Sequence, residues 1–142
     1  MSCGDEQAKV QEFLLIAEDN PADVGLIRMA LKRHGIGAAV EVVQDGEAAL
    51  RFIERVEADS HAACPAVAVL DLHLPRVSGD EILRRMRGSA KWREVPVIVM
   101  SSSLSGRDRE EAMARGASAY FCKPSELDQF LELGAIIKEL LG

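Results

Sequence analysis

The chain has 142 residues, of which 48% are hydrophobic and 28% are charged, and its formal net charge is −6. This length suits one compact domain, and the acidic balance argues against a surface that binds nucleic acid. The three cysteines form no C-x-x-C pair, and no apolar run approaches the ~20 residues of a membrane span. We therefore expect a cytoplasmic protein with reduced thiols, with no membrane and no nucleic acid as partner.

Short apolar runs alternate with amphipathic segments along the chain. The polar residues 1–10 predict a flexible tail, and residues 11–142 predict one folded domain. Buried strands are predicted where the apolar runs are too short for helices, namely at residues 13–17, 40–43, 66–70, 95–100 and 117–122. Five helices are predicted to follow these strands. Their start signals are Pro21, Asp45, the capping box Ser78 with Glu81, Arg107, and the capping box Ser125 with Asp128.

This alternation predicts an α/β fold with helices on both faces of a parallel sheet. Because crossovers are right-handed, few topologies remain, and we expect a flavodoxin-like, doubly wound sheet of five strands in the order 2-1-3-4-5 with five helices. In that order the first and third strands are neighbours. Ligands then bind beyond the carboxyl ends of these strands.

Three acidic residues fall at this predicted crevice. Glu18 and Asp19 follow the first strand, and Asp71 follows the third. Carboxylates that share a crevice repel one another, so the cluster needs a cation or raised pKa values. A set of hard oxygen ligands suits Mg²⁺. The alternative is that each acid only caps a helix or a turn of its own.

A hydroxyl and an ammonium group are predicted at the same edge of the sheet. Ser101 follows the fourth strand, and Lys123 follows the fifth. Beside a metal-bound carboxylate, these two groups suit a phosphoryl group, because the hydroxyl donates to one oxygen and the ammonium neutralises another. Taken singly, Ser101 is a loop serine and Lys123 is a surface lysine, so only their joint placement is informative.

Glu18-Asp19, Asp71, Ser101 and Lys123-Pro124 together resemble the receiver domain of two-component response regulators, over nearly the whole chain. The resemblance implies that Asp71 accepts a phosphoryl group from a phosphohistidine of a sensor histidine kinase. It also implies roles for other positions. Glu18, Asp19, Asp71 and the backbone carbonyl of His73 would hold Mg²⁺, Ser101 and Lys123 would bind the phosphoryl group, and Ser101 and Tyr120 would act as the switch pair.

The run from Glu18 to Ile27 is similar to that of receivers paired with phytochrome-type and other hybrid sensor kinases. We therefore expect a bacterial, single-domain response regulator, because no second domain follows Gly142. Such a protein is not an enzyme beyond its own phosphorylation and dephosphorylation. Two alternatives stay open. One is a phosphate-independent interaction module, or pseudo-receiver. The other is a small phosphatase with an aspartate nucleophile, although His73 stands where such enzymes place a second aspartate.

The last helix predicts an interaction surface. At 100° per residue its apolar side chains cover more of the circumference than contact with one core requires. Leu133, Ile136 and Leu140 remain outside the face that is predicted to contact the sheet, so we expect a homodimer or partner surface there. The alternative is a C-terminal helix that tolerates some exposed leucines.

The composition of two further segments also predicts their behaviour. The basic run Arg84, Arg85, Arg87, Lys91 and Arg93 predicts a solvated helix face, or else a docking patch for an acidic partner. The fourth helix is poor in large apolar residues, so we expect it to be mobile.

Overall fold

In the computed structural model, which describes residues 12–142, five parallel strands form one sheet in the order β2-β1-β3-β4-β5. The strands are β1 (Phe13–Ala17), β2 (Ala39–Val43), β3 (Val67–Asp71), β4 (Val97–Ser101) and β5 (Ala119–Cys122). The helices are α1 (Pro21–Arg33), α2 (Gly46–Ala58), α3 (Gly79–Arg87), α4 (Gly106–Ala114), and two consecutive segments, α5 (Leu127–Leu131) and α6 (Leu133–Leu141). The predicted flavodoxin-like fold and strand order are confirmed. The predicted tail and Cys3 lie outside the described residues.

The central strands β1, β3 and β4 are buried on both faces of the sheet, and their side chains alternate between the two sides. On one face, Leu15 and Leu70 pack with the side chains of α2 and α3. On the other face, Leu14 and Val69 pack with those of α1, α5 and α6. Strands covered on both sides must be apolar throughout, which explains the continuous runs in the sequence.

The central strands begin and end later than predicted. β3 reaches Asp71 and β4 reaches Ser101, so both polar residues are the last residues of strands. β4 starts at Val97 and excludes Pro96, which has no N–H to donate to a neighbouring strand. The carbonyl of Pro96 still accepts a hydrogen bond from the Ala68 amide at 2.9 Å.

The first three helices start at their predicted signals, whereas α4 starts at Gly106, after the cap Ser105, rather than at Arg107. Asp45 accepts a hydrogen bond from the Ala48 amide at 2.7 Å, and Ser78 accepts one from the Glu81 amide at 3.3 Å. The predicted capping box of Ser125 is wrong. α5 begins after Glu126, and no side chain caps it.

The prediction that Leu133 lies on a free surface is also wrong, because Leu133 is fully buried in the core. Ile136 and Leu140 are half-buried and pack against the same core, whereas Leu127 is 48% exposed. The C-terminal residues do not form one regular helix. Around Glu132 the amides bond to carbonyls three residues back, which tightens the turn and shifts the phase of the following residues.

A second reason is that the C-terminal segments pack against α1 as well as the sheet. The imidazole Nε2 of His34, at the end of α1, is 3.1 Å from the Leu131 carbonyl oxygen. A Cβ at Gly134 would collide with the His34 ring and would lie 2.6 Å from the Ala30 carbonyl oxygen. A helix that contacts a sheet and another helix buries a wider arc, and this accounts for its wide apolar stripe.

Only part of the basic run is the solvated face that its composition predicts, because Arg84 and Arg93 are exposed but Arg87 and Lys91 are half-buried. Arg87 donates to the carbonyls of Gly116 (2.7 Å) and Val95 (2.8 Å), which joins the end of α3 to the starts of β4 and β5. Lys91 donates to the carbonyls of Val56 (2.8 Å) and Asp59 (2.7 Å) at the end of α2. These two cations therefore bind backbone carbonyls near the ends of helices and strands.

Trp92, the chain's one tryptophan, is fully buried between α3 and β4. Its ring makes an edge-to-face contact with Phe52 at a centroid distance of 6.0 Å. Among the helices of residues 12–142, none combines the length and the apolar composition needed to cross a bilayer.

Candidate functional site

The register of the sheet brings the predicted acidic residues together. Ala17 of β1 pairs with Leu70 of β3, so the next residues, Glu18 and Asp71, are neighbours. Carboxylate oxygens of Glu18, Asp19 and Asp71 lie within 4.8 Å of one another. Asp19 is exposed, whereas Glu18 and Asp71 are buried. The crevice therefore has two buried acids and one acid open to solvent.

Burial of Glu18 has an electrostatic cost. Its side chain is 1% exposed, and this burial, together with the nearby Asp71, raises its pKa to about 7. Hydrogen bonds from Lys123 and from the Asn20 amide (3.1 Å) act in the opposite direction. A divalent cation at these oxygens would favour the charged carboxylate, because opposite charge offsets lost hydration.

The backbone around Asp71 is closely packed. The Oδ1 atom of Asp71 accepts a hydrogen bond from the His73 amide at 2.9 Å, which orients the carboxylate. A Cβ at Gly79 would collide with the Asp71 carbonyl oxygen, and only glycine permits this approach of α3 to the end of β3. The His73 side chain is exposed.

Lys123 lies at the centre of the site. Its Nζ atom is 2.9 Å from Glu18 Oε1, 2.9 Å from Asp23 Oδ2 and 3.2 Å from Asp71 Oδ2. Burial alone would lower the pKa of this ammonium, but the hydrogen bonds with Asp23 and Glu18 and the nearby Asp71 raise it on balance. The lysine therefore stays charged and offsets part of the negative charge of the crevice.

Asp23 is a site residue that the sequence analysis missed. It lies in the first turn of α1, where an acid also stabilises the helix dipole. A signal was present in the sequence, because the first turn of α1 follows closely after the acidic pair Glu18-Asp19. The Asp23 side chain is 18% exposed and points at Lys123 rather than at solvent.

Ser101 and Tyr120 are linked through Ser103. Ser101 is fully buried at the end of β4, and its Oγ atom accepts a hydrogen bond from the Ser103 amide at 3.0 Å. The half-buried Tyr120 places its hydroxyl 3.5 Å from the Ser103 carbonyl oxygen, which also accepts from the Cys122 thiol at 3.3 Å. A displacement of Ser101 would thus be transmitted to the contact of Tyr120.

The donor set fits a small hard cation. Three carboxylates of the described residues converge, and the His73 carbonyl follows Asp71 in the same loop. Oxygen ligands of this kind are those that Mg²⁺ prefers, with water completing its coordination. Next to this loop, a cavity of about 220 Å³ separates it from α4 and is lined in part by His73, Ser78 and Asp108.

Two solved structures with similar folds are response regulators related to this chain at 25–27% identity. The phosphorylated cyanobacterial phytochrome response regulator RcpA superposes with a TM-score of 0.81 at 27% identity, over 93% of this chain and 94% of RcpA. The Mn²⁺-bound form of the response regulator Rcp1, a protein of Synechocystis, superposes with a TM-score of 0.79 at 25% identity, over 90% of this chain and 92% of that one.

Sequence comparisons agree with the structural ones. The probable methanogenesis regulatory protein FilR2 of Methanothrix harundinacea is 33% identical over 127 residues, which are 89% of this chain and 81% of FilR2. Two longer transcriptional regulators also match, and the chain spans 42% of the length of one and 47% of the length of the other. Residues 14–134 match the family model described as the response regulator receiver domain. Receiver domains have histidine kinases as partners, and it is to this family of two-component signalling proteins that the chain belongs.

Proposed function

We propose that the protein is a phosphorylation switch in which Asp71 accepts a phosphoryl group from a phosphohistidine of a sensor kinase. The observation that supports this most directly is the convergence on Asp71 of two further carboxylates and the Lys123 ammonium, which lies 3.2 Å from its Oδ2 atom. A buried carboxylate in such surroundings suits nucleophilic attack on phosphorus. The reaction is confined to the protein's own phosphorylation and dephosphorylation.

In the transfer, an oxygen of Asp71 forms a bond to phosphorus while the phosphorus–nitrogen bond of the phosphohistidine breaks. The electron pair of that bond returns to the imidazole of the kinase, which recovers its proton. Lys123 and the Ser101 hydroxyl then donate hydrogen bonds to phosphoryl oxygens. Glu18, Asp19, Asp71 and the His73 carbonyl would hold Mg²⁺, which supplies positive charge against the phosphoryl oxygens when bound.

The signal is proposed to leave through α4 and its neighbours. When Ser101 moves to the phosphoryl group, the Ser103 carbonyl moves with it, and Tyr120 loses or gains its contact. α4 can follow, because of its nine residues only Ala112 is buried. Large apolar side chains are exposed along this part of the chain, at Leu104, Met113 and Leu127. These residues replace Leu133 as the candidates for the phosphorylation-dependent contact with a partner.

The kinase is proposed to be of the phytochrome type. The support is that RcpA, a cyanobacterial phytochrome response regulator, superposes on 93% of this chain. We place the exchange in the cytoplasm, because Cys64 and Cys122 carry free thiols, which are typical of reducing compartments.

The experiment is phosphorylation with Mg²⁺ and acetyl phosphate, followed by intact mass. We expect a mass gain of one phosphoryl group in the wild type and in the control Asp128→Asn, whose side chain is 85% exposed on α5. No gain is expected in Asp71→Asn or without Mg²⁺. A phosphoryl group that persists in Asp71→Asn would contradict the assignment, and an unlabelled wild type would favour the phosphate-independent module.

The partner is tested by phosphotransfer from purified, autophosphorylated kinases. We expect rapid loss of label from a phytochrome-type histidine kinase and slow loss from an unrelated one. Equal rates with both kinases would contradict the phytochrome-type partner while leaving the role of Asp71 intact.

A further inference from the structure

The Lys123 ammonium has no donor left for a new acceptor. An ammonium group carries three N–H donors. Three carboxylates occupy them, with Glu18 and Asp23 at 2.9 Å and Asp71 at 3.2 Å. A phosphoryl oxygen that binds Lys123 must therefore displace one of these three partners.

Asp23 is the partner that can be displaced at least cost. Glu18 has a second bond that holds it in place, from the Asn20 amide, and Asp71 is itself the acceptor of the phosphoryl group. Among the described residues, the carboxylates that converge are those of Glu18, Asp19 and Asp71, and Asp23 is not one of them. If Asp23 leaves Lys123, its carboxylate does not become an unpaired buried charge. It lies in the first turn of α1, whose dipole stabilises it, and it is partly open to water.

We propose that Asp23 is a positioning residue that holds Lys123 in the unphosphorylated protein and competes with the phosphoryl group for its ammonium. This inference rests on the proposed function and deepens it, because it assigns a control of the phosphorylation rate to a fourth carboxylate. Asp23 contacts neither the phosphoryl group nor the metal ligands in this role, and it acts through Lys123 alone.

The test is Asp23→Asn, which keeps the size of the side chain and removes its charge. A hydrogen bond from the Lys123 ammonium to a neutral amide oxygen is weaker than one to a carboxylate, so the maximal rate of phosphoryl uptake should rise by about threefold to tenfold. The rate is measured by intact mass against acetyl phosphate concentration at saturating Mg²⁺. Asp128→Asn is the matched control, because it removes an acid from the first turn of another helix, and it should leave the rate unchanged.

The dependence on donor concentration separates this role from simple repulsion. Release of Lys123 acts on the transferring phosphoryl group and raises the rate at saturating donor, whereas repulsion of the donor acts on half-saturation. A change confined to half-saturation, an unchanged rate or a slower rate would overturn the inference. Asp23→Ser serves as a second uncharged variant, with urea unfolding of both variants to confirm that they are folded.

The two proposals fail in different ways. If the wild type takes up no phosphoryl group, or if Asp71→Asn keeps it, the proposed function fails and the role of Asp23 fails with it. If the wild type is labelled on Asp71 and both Asp23 variants match its maximal rate, only the role of Asp23 is overturned.

Discussion

The charged residues of this protein fall into two groups, one at the acidic crevice and one that stabilises the fold. Around Asp71, acids are concentrated beyond what the Lys123 ammonium neutralises, and burial, with a smaller effect of Asp71, raises the pKa of Glu18. Elsewhere, cations serve the fold. Arg87 and Lys91 bind backbone carbonyls, and Arg85 forms two hydrogen bonds with Glu57, at 2.6 and 2.9 Å. The first group favours function at the expense of stability, and the second favours stability.

The pair of Glu57 and Arg85 predicts an acid-dependent loss of stability. The hydrogen bonds from Arg85, with help from Ser89, lower the pKa of Glu57 from 4.5 to about 2. Because the folded-state pKa lies below the unfolded one, the pair stabilises the protein above pH 4.5. This contribution is lost as the pH falls from there to about 2. Both side chains are partly exposed, so the contribution stays below about 1 kcal/mol.

Glu57→Gln should therefore lower the free energy of unfolding at neutral pH, and the difference from the wild type should shrink toward zero in acid. The measurement is urea unfolding at several pH values between neutrality and pH 2. Glu110→Gln, a change at an exposed residue of α4, corrects for the loss of one negative charge. A difference that grows in acid would contradict the assignment.

At the scale of the elements, the contact between α1 and α6 decides where the last helix lies. Gly134 lies against His34 and the Ala30 carbonyl, and this close approach buries Leu133 and Ile137. Glycine in a helix costs about 1 kcal/mol relative to alanine by propensity. That cost is accepted here because a methyl group would push the two helices apart.

Two glycine-to-alanine changes test this argument, and we expect opposite signs. Gly134→Ala should lower the free energy of unfolding by about 1–3 kcal/mol, because overpacking outweighs the gain in helix propensity. Gly25→Ala, in the exposed middle of α1 with nothing within 4 Å of its added Cβ, should raise it by about 0.4–1 kcal/mol. The measurement is urea unfolding at equilibrium. Stabilisation by Gly134→Ala would mean that α1 and α6 are not in close contact.

At the scale of the whole molecule, the buried tryptophan and the acidic crevice lie at opposite ends of the sheet. Trp92 precedes β4, whereas Asp71 and Ser101 end β3 and β4. The emission of Trp92 should therefore report unfolding and should not respond to cations at the acidic crevice. The chain should also unfold as one unit, because both faces of a single sheet carry its core.

Mg²⁺ should raise the urea midpoint of the wild type, because a ligand that binds only the folded state stabilises that state. At a hundredfold excess over Kd the stabilisation is about 2.7 kcal/mol. Trp92 fluorescence and circular dichroism should give coincident transitions. Asp19→Asn removes one of the convergent carboxylates and should lose most of this increase. An equal increase in Asp19→Asn would place the stabilising cation elsewhere.

Much of the protein was predictable from its sequence, for a local reason. The central strands are continuous apolar runs, most helices have a cap, and the alternation of strands and helices leaves few topologies. The strand order then places residues at strand ends side by side. The sequence alone therefore groups the site residues Glu18, Asp19, Asp71, Ser101 and Lys123. Residues of this kind depend only on element type and topology.

Only the tertiary structure decided the features that depend on contacts between elements. The burial of Leu133 follows from the tight turn at Glu132 and from Gly134 against α1. The roles of Arg87 and Lys91 follow from carbonyls at distant element ends. The Asp23 carboxylate joins the site because the long side chain of Lys123, which follows β5, reaches the first turn of α1. The sequence determined which residues line the crevice, and packing determined which partner Lys123 holds there, since a long side chain chooses its partner by distance in space.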